Sequence, residues 1–181
     1  NQLPKNIRPT DVILGIPSSG FHSNGYSLLR KIVQKRGLKW DSECPVDPKR
    51  SLGEVLLEPT RIYQSLLSPL IERKVISGLA HITGGGITDN LPRVLPISHS
   101  FEIDLNTWKL PEIMGWFITH SGMTQEESLK TFNCGIGIVC IVSEKNLSSF
   151  KSHFKALNEP FFQIGKVTDS KNISYIGNLK K

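Results

Sequence analysis

The sequence predicts an α+β domain in which helices pack against a mixed β-sheet. Apolar runs of strand length alternate with amphipathic segments of unequal length, and this irregular order does not fit a regular βαβ series. Residues 135–142, 144–157 and 161–167 are typical of strand, helix and strand, a β-α-β unit that suits one half of a ferredoxin-like arrangement. The 181 residues are enough for one domain of ordinary size with a substantial core.

The individual elements follow from apolar periodicity, from Pro and Gly breaks and from capping residues. Strands are expected at residues 11–16, 77–82, 101–105, 135–142 and 161–167, and also at 173–176. Helices are expected at residues 26–36, 52–57, 61–73, 89–94, 111–120, about 125–130 and 144–157. Thr60 and Ser143 are the expected N-caps of two helices, and Thr124 with Glu127 predicts a capping box. The segment 40–51, which contains two prolines, is expected to be a loop.

The domain boundaries are drawn from the ends of this pattern. Residues 1–10, with Pro4 and Pro9, are expected to be a linker or an incoming tail. The domain proper is expected at 11–170, followed by a C-terminal tail at 171–181. The first residue is Asn rather than Met, which agrees with an excised fragment.

Composition excludes several classes of function. The formal net charge of +6 favours anionic ligands, but the basic residues are not interleaved with aromatics as in a nucleic-acid platform. Cys44, Cys134 and Cys140 form neither a metal-spaced pair nor a disulfide framework, so buried free thiols in a reducing compartment are expected. Neither a signal peptide nor a membrane-length apolar stretch is present. The predictions are therefore a cytoplasmic location and no nucleic-acid or membrane partner.

The first candidate site is the loop PSSGFHSNGY, residues 17–26, between the first strand and the first helix. Its glycines allow tight turns, and the helix start adds unpaired N–H donors and the positive end of the helix dipole. Serine hydroxyls, the His22 imidazole and the Asn24 amide, a candidate N-cap, add polar groups. The loop is neither a Walker P-loop nor a G-x-G-x-x-G fingerprint. A phosphate site and a plain capped βα turn are both open on these residues.

The second candidate site, residues 81–93 (HITGGGITDNLPR), repeats this order of strand, glycines and helix. Three consecutive glycines allow positive φ angles and close backbone approach to a ligand. Asn90 and Arg93 are three residues apart and are expected on one helix face, where the guanidinium could hold a phosphate. A flexible turn with a surface arginine is the alternative. His81, at a strand end, is expected to be a core histidine rather than a catalyst.

Two further polar residues lie near these loops. Arg61 is expected in the first turn of a helix, where the dipole disfavours a cation, so it either pairs with Glu58 or reaches an anion. Asn133 precedes the strand at 135–142 and either positions substrate or closes a turn, and the second interpretation is slightly favoured.

Four segments carry a resemblance to a known family: PSSGFHSNGYSLLRKIV, LLEPTRIYQSLL, AHITGGGITDNLPRVLP and TFNCGIGIVCIV, in this order. Together they resemble the C-terminal half of phosphoribosylformylglycinamidine cyclo-ligase, also called aminoimidazole ribonucleotide (AIR) synthetase, over about residues 11–167. Phe21 stands where bacterial members usually carry Pro, which affects only the stiffness of the first loop. The N-terminal half of the family is absent, so the chain resembles half an enzyme.

The resemblance implies a fold like the AIR synthetase C-terminal domain and a reaction of purine biosynthesis. In that reaction, ATP drives closure of the imidazole ring of formylglycinamidine ribonucleotide, giving AIR, ADP and phosphate. It further implies that ATP and Mg²⁺ are bound mostly by the missing N-terminal half, and no metal ligand is assigned in this chain. The implied partners are that N-terminal half and a homodimer formed through it. In a trifunctional polypeptide, glycinamide ribonucleotide synthetase and formyltransferase domains would join them.

The predicted site residues combine the two loops with this resemblance. His22 is the expected catalytic residue, because the reference pKa of histidine lies near neutrality. The expected substrate- and phosphate-binding residues are Ser18, Ser19, Gly20, Ser23, Asn24, Gly25, Arg61, Thr83, Gly84, Gly85, Gly86, Asn90 and Arg93.

Other members of the same two-half architecture remain alternatives. They are formylglycinamidine ribonucleotide synthetase, selenophosphate synthetase and a hydrogenase-maturation protein, although GGGITDNLPR and PTRIY favour the cyclo-ligase. A non-catalytic anion-binding module that keeps the fold is a further alternative.

Overall fold

The computed structural model describes residues 3–180 of the chain. The strands are β1 (Val12–Pro17), β2 (Glu43–Cys44), β3 (Asp47–Ser51), β4 (Gly78–His81), β5 (Ser100–Asp104), β6 (Ile136–Val142), β7 (Phe162–Thr168) and β8 (Ser174–Ile176). The helices are α1 (Tyr26–Lys35), α2 (Leu52–Leu56), α3 (Gln64–Glu72), α4 (Gly86–Asn90), α5 (Glu112–Ser121), α6 (Gln125–Thr131) and α7 (Glu144–Ala156). Two 3₁₀ turns lie at Leu91–Val94 and Leu105–Thr107.

Six strands form one mixed sheet in the order β4-β6-β1-β7-β5-β8. Neighbouring strands are antiparallel, except that β8 runs parallel to β5. The predicted α+β class with a mixed sheet is therefore confirmed. The β6-α7-β7 segment forms a split β-α-β unit, because β1 lies between its two strands and pairs with both.

Helices cover both faces of this sheet. On one face α3 and α7 pack with Leu14 and Ile16 of β1, and on the other α1 and α5 pack with Ile13. Residues Ile136–Val142 of β6 are buried without exception, which explains why this strand is a continuous apolar run rather than an alternating one.

Residues 40–51, predicted as a loop, contain instead the short β2–β3 hairpin. Pro48 lies inside β3, which pairs only with β2 and so tolerates a residue without an N–H donor. The two prolines of the segment predicted irregular structure. This prediction was wrong, because a two-stranded ribbon has free edges, where a residue without an N–H donor breaks no hydrogen bond between strands.

Of the caps predicted for α3, α6 and α7, two lie at the N-cap position, and one of these two makes the capping hydrogen bonds. Thr124 and Glu127 form the expected capping box at α6. Ser143 is the N-cap of α7, but its side chain makes no capping hydrogen bond. Thr60 is not a cap, because α3 begins only at Gln64, after a segment whose polar groups bond to another loop.

The three cysteines are buried free thiols, as predicted. Burial raises the pKa of Cys134 to about 12, so this thiol stays protonated. Over residues 3–180, every helix is too short or too polar to cross a lipid bilayer.

Candidate functional site

Both glycine loops leave the sheet at the same end. β1 and β4 are each antiparallel to β6, on opposite sides of it, and therefore run parallel to each other. Pro17 at the end of β1 pairs with Ile136, and His81 at the end of β4 pairs with Ile138. The loop at 18–25, here loop 1, and the loop at 82–86, here loop 2, therefore begin side by side.

Loop 1 turns through left-handed backbone conformations at His22 (φ 51°), Ser23 (φ 61°) and Gly25 (φ 73°). Gly25, not Asn24, is the N-cap of α1. The Asn24 amide instead donates hydrogen bonds to the carbonyl oxygens of Phe21 (3.3 Å) and His22 (2.9 Å). The predicted capping role of Asn24 is therefore wrong, because its Nδ2 stabilises the turn before the helix.

The His22 ring lies inside loop 1 and only 5% of the residue is exposed. Its Nε2 accepts a hydrogen bond from the Ser19 N–H (3.0 Å), so the ring proton of the neutral form is on Nδ1. Burial, together with the nearby charges of His81 and Arg61, lowers the pKa of His22 to about 4. The expectation of a near-neutral pKa is wrong, and His22 is a neutral hydrogen-bond acceptor at physiological pH.

The segment 58–61 packs against loop 1. The Ser19 hydroxyl donates to the Pro59 carbonyl oxygen (2.6 Å), and the Arg61 N–H points to His22 Nε2 (3.4 Å). A Cβ atom on Gly20 would lie 3.3 Å from Glu58 Cβ. These contacts hold the chain extended before α3, which explains the late start of that helix.

Arg61 therefore lies before the helix rather than in its first turn. Its guanidinium forms an ion pair with Glu159 (2.7 Å) and lies 5.3 Å from the centre of the Tyr63 ring. Glu58 pairs with Arg50 instead (2.9 Å). Both sequence-based alternatives for Arg61, pairing with Glu58 or reaching an anion, missed a partner 98 residues away.

Asn133 fixes loop 1 to the start of β6. The side chain is fully buried, and its Nδ2 donates to the Gly20 carbonyl oxygen (2.8 Å). Its Oδ1 accepts from the Gly135 N–H (2.9 Å) and from the Ser18 hydroxyl (3.3 Å). The favoured interpretation, a residue that closes a turn, agrees with the Gly135 bond, but no sequence pattern indicated the bonds to loop 1.

Asn90 fixes loop 2 from within, as Asn133 fixes loop 1. It is buried, and its Nδ2 donates to the carbonyl oxygens of Gly84 (3.1 Å) and Gly86 (2.7 Å). The Thr83 hydroxyl donates to Asn90 Oδ1 (3.0 Å). Arg93 is exposed in the following 3₁₀ turn. The Asn90 amide is therefore used inside the loop, and of the pair Asn90 and Arg93 only Arg93 is exposed to solvent.

The two loops approach each other through Asn24 and Gly84. Asn24 Oδ1 lies 3.8 Å from the position of a Cβ atom on Gly84, with Gly84 itself exposed. The rings of His22 and His81 are 6.4 Å apart between centroids. His81 is exposed, so the core position predicted for it is wrong. The backbone of loops 1 and 2 and the imidazole of His81 therefore lie on one surface.

The polar groups that face solvent on this surface differ from those that build it. Ser19, Ser23, His81 and Gly84 are exposed, and Arg93 is exposed in the 3₁₀ turn that follows α4. Inside residues 3–180, no group of three or more His, Cys, Asp or Glu side chains is arranged to hold a metal ion. The surface can offer hydroxyls, backbone groups and the His81 imidazole to an anionic ligand.

This arrangement defines the chain as an α+β domain that presents two rigidly held glycine loops at one end of a mixed sheet. The family model described as AIR synthase related protein, C-terminal domain, matches residues 8–178, and the chain belongs to this family.

Solved structures with low sequence identity share the fold. Thiamine-monophosphate kinase from Stenotrophomonas maltophilia matches with a TM-score of 0.65 and 14% identity, over 97% of this chain and 52% of the kinase. The E. coli hydrogenase maturation protein HypE matches with a TM-score of 0.60 and 15% identity, over 98% of this chain and 49% of HypE. T. maritima PurL in complex with ADP matches with a TM-score of 0.52 and 13% identity, over 97% of this chain and 24% of PurL. The chain thus spans about half the length of the first two.

The lowered pKa of His22 predicts a pH-dependent stability. Between about pH 4 and 6.5 the unfolded state binds more protons than the folded state, so the free energy of unfolding should rise with pH. A shift of this size corresponds to about 3 kcal/mol, present above pH 6.5 and lost as the pH falls towards 4. Urea unfolding from pH 4 to 7 measures it. His22→Gln should flatten the dependence, whereas His120→Gln, on α5, should leave it intact. Equal profiles for the three proteins would contradict the assignment.

Proposed function

We propose that this chain is the C-terminal half of an ATP-dependent enzyme, and specifically of the cyclo-ligase that converts formylglycinamidine ribonucleotide to aminoimidazole ribonucleotide. The observation that carries the proposal is the convergence of two glycine loops at one end of the sheet, with the exposed Arg93 in the 3₁₀ turn that follows α4. Membership of the AIR synthase related family and the four motifs quoted above support the choice of reaction.

The chemistry requires a phosphate-bearing, flexible substrate to be held in the conformation that closes the ring. In this proposal, the Ser23 hydroxyl of loop 1 and the backbone of Gly84 in loop 2 bind a phosphate group. Ser19 joins them when its hydroxyl turns from the Pro59 carbonyl oxygen, to which it donates in this structure, towards the ligand. Arg93 adds a guanidinium that can hold two phosphate oxygens at once. Asn90 and Asn133 bind no substrate in this scheme, because their amides are used to fix the loops.

His22 serves positioning rather than proton transfer in this scheme. Its Nε2 faces the Ser19 N–H and the pKa near 4 keeps the ring neutral, so it orients Ser19 beside the substrate. A catalytic role for His22, as predicted from the sequence, would need this loop to open and expose the ring.

ATP would supply the phosphoryl group that activates the amide oxygen of the substrate. Following the resemblance, we propose that the Mg²⁺ ligands and most ATP contacts lie on an N-terminal half, which would also form the homodimer. An N-terminal half of this kind agrees with the lengths of the thiamine-monophosphate kinase and HypE, of which the chain covers about half.

A related ATP-using enzyme is the second candidate. Structural matches to a thiamine-monophosphate kinase and to PurL in complex with ADP favour it, because the same fold occurs in proteins other than the cyclo-ligase. Formylglycinamidine ribonucleotide synthetase and selenophosphate synthetase types belong to this class of alternative. A domain that only binds anions is the remaining one.

The test is reconstitution of the two halves. We expect this chain, mixed with a separately produced N-terminal half of a cyclo-ligase, to form aminoimidazole ribonucleotide from formylglycinamidine ribonucleotide and Mg-ATP, with neither half active alone. A complex that forms but consumes ATP only with another substrate would assign a related enzyme. A folded complex without any turnover would leave an anion-binding module.

Arg93 gives the sharper prediction within this assay. Arg93→Ala should raise the KM for the ribonucleotide at least tenfold, because a charge-assisted contact to phosphate is lost, while the melting temperature stays unchanged. Arg36→Ala removes an equally exposed arginine at the end of α1 and should leave KM unchanged. Identical KM values for the two variants would remove Arg93 from the site.

A further inference from the structure

A cavity lies at the opposite end of the sheet from the two glycine loops. Its volume is about 460 Å³, a size typical of pockets for small ligands. It is lined by the segment before β1, by the turn between α3 and β4 and by the first residues of α7. These are the starts of β1 and β4 and the end of β6, so the cavity shares no residue with loops 1 and 2.

Four cationic residues line this cavity: Lys5, Arg8, Lys74 and Lys145. Within residues 3–180 none of the four makes an ion pair with a carboxylate. The backbone of Lys74 is bonded to α7, because its carbonyl oxygen accepts a hydrogen bond from Asn146 Nδ2 (3.3 Å). Two segments that both carry a lysine are thus tied together at the cavity.

Two carboxyl groups also line the cavity. Asp11 is 5% exposed and its Oδ2 accepts a hydrogen bond from the Arg8 N–H (3.0 Å). Burial raises the pKa of Asp11 above its usual value, with the Glu144 charge adding to the shift and Arg8 and His99 opposing it. The four cations outnumber Asp11 and Glu144, so the cavity carries a positive excess.

The N-terminus of α7 opens at the same place. Ser143 lines the cavity as the N-cap of this 13-residue helix, but its side chain makes no capping bond. The Ser143 Oγ is buried and has no hydrogen-bond partner among the described residues, unlike the bonded N-caps Ser51 and Thr124. The first N–H groups of a helix also lack intrahelical acceptors, and a hydroxyl left free beside them is a donor without a protein partner.

We propose that this cavity is a second anion site, for a small molecule bearing a phosphate group. Lys74 and Lys145 would neutralise the phosphate from two sides, and the first N–H groups of α7 would donate hydrogen bonds to its oxygens. The Ser143 hydroxyl would add a further donor once its buried Oγ turns towards the cavity. The proposal does not depend on the function proposed for loops 1 and 2, because no residue is shared.

Inorganic pyrophosphate is the probe, titrated into the whole chain at constant ionic strength and followed by amide chemical shifts. We expect saturable shifts at residues 143–146 and about tenfold weaker binding for the double variant Lys74→Gln/Lys145→Gln, because charge-assisted contacts are removed. Lys31→Gln/Lys35→Gln, which removes the same charge from the exposed side of α1, should bind as the original chain does.

Ser143→Ala protects the test against a loss of folding. Since the Ser143 Oγ makes no hydrogen bond in the described chain, this variant should fold normally and bind pyrophosphate more weakly. Arg93→Gln should leave the shifts at residues 143–146 unchanged, which separates this cavity from the site at loops 1 and 2. Equal weakening by both lysine pairs, or shifts that do not saturate, would overturn the proposal.

Discussion

Gly86→Ala is expected to lower the free energy of unfolding by roughly 3–5 kcal/mol, from a steric clash combined with an unfavourable backbone conformation. Gly86 has φ 58°, and a Cβ atom there would overlap the Leu129 carbonyl oxygen and lie 2.8 Å from the Phe132 carbonyl oxygen. Both obstacles are backbone atoms at the end of α6, so no side-chain rotation relieves them.

Gly84→Ala is the matched control two residues earlier in loop 2. Gly84 is exposed, and the nearest atom to a Cβ there is Asn24 Oδ1 at 3.8 Å, an ordinary contact distance. Its stability should stay within about 0.5 kcal/mol of the original chain, as for most surface substitutions. Chemical denaturation of the two variants, with the original chain as reference, gives the comparison. Equal stabilities would show that loop 2 does not pack against α6 as described.

The general plan of this fold could be predicted from the sequence because it depends on local pattern. The seven buried residues of β6 form one apolar run, and the capping box spans the four residues from Thr124 to Glu127. Both glycine loops were also recognisable, since each follows an apolar strand segment and precedes a helix. Such signals lie within about ten residues of one another along the chain.

The detail of the candidate site could not be predicted, because it depends on contacts between distant residues. Arg61 pairs with Glu159, and the His22 ring packs where Gly137 of β6 has no side chain, with the Tyr63 hydroxyl beside it. Burial among such distant neighbours, with the charges of His81 and Arg61, lowers the pKa of His22 and keeps its ring neutral. Sequence patterns identify polar residues in a loop but do not tell a ligand contact from an internal brace, as Asn90 shows.

Asn133→Ala tests whether loop 1 depends on its buried brace, with an expected loss of about 3 kcal/mol in the free energy of unfolding. Two buried groups, the Gly20 carbonyl oxygen and the Gly135 N–H, would lose partners at 2.8 and 2.9 Å, and each unsatisfied group costs about 1–3 kcal/mol.

The consequence of Asn133→Ala should extend beyond stability. Because Gly20 lies in loop 1, hydrogen exchange of the loop 1 amides should accelerate even in conditions where the domain remains folded. Asn172→Ala, at an exposed position near the C-terminus, is the control and should change neither quantity. If Asn133→Ala lowered stability but left the loop 1 exchange rates unchanged, Asn133 would support β6 alone. Ser19 would then depend on His22 and the segment 58–61 for its position.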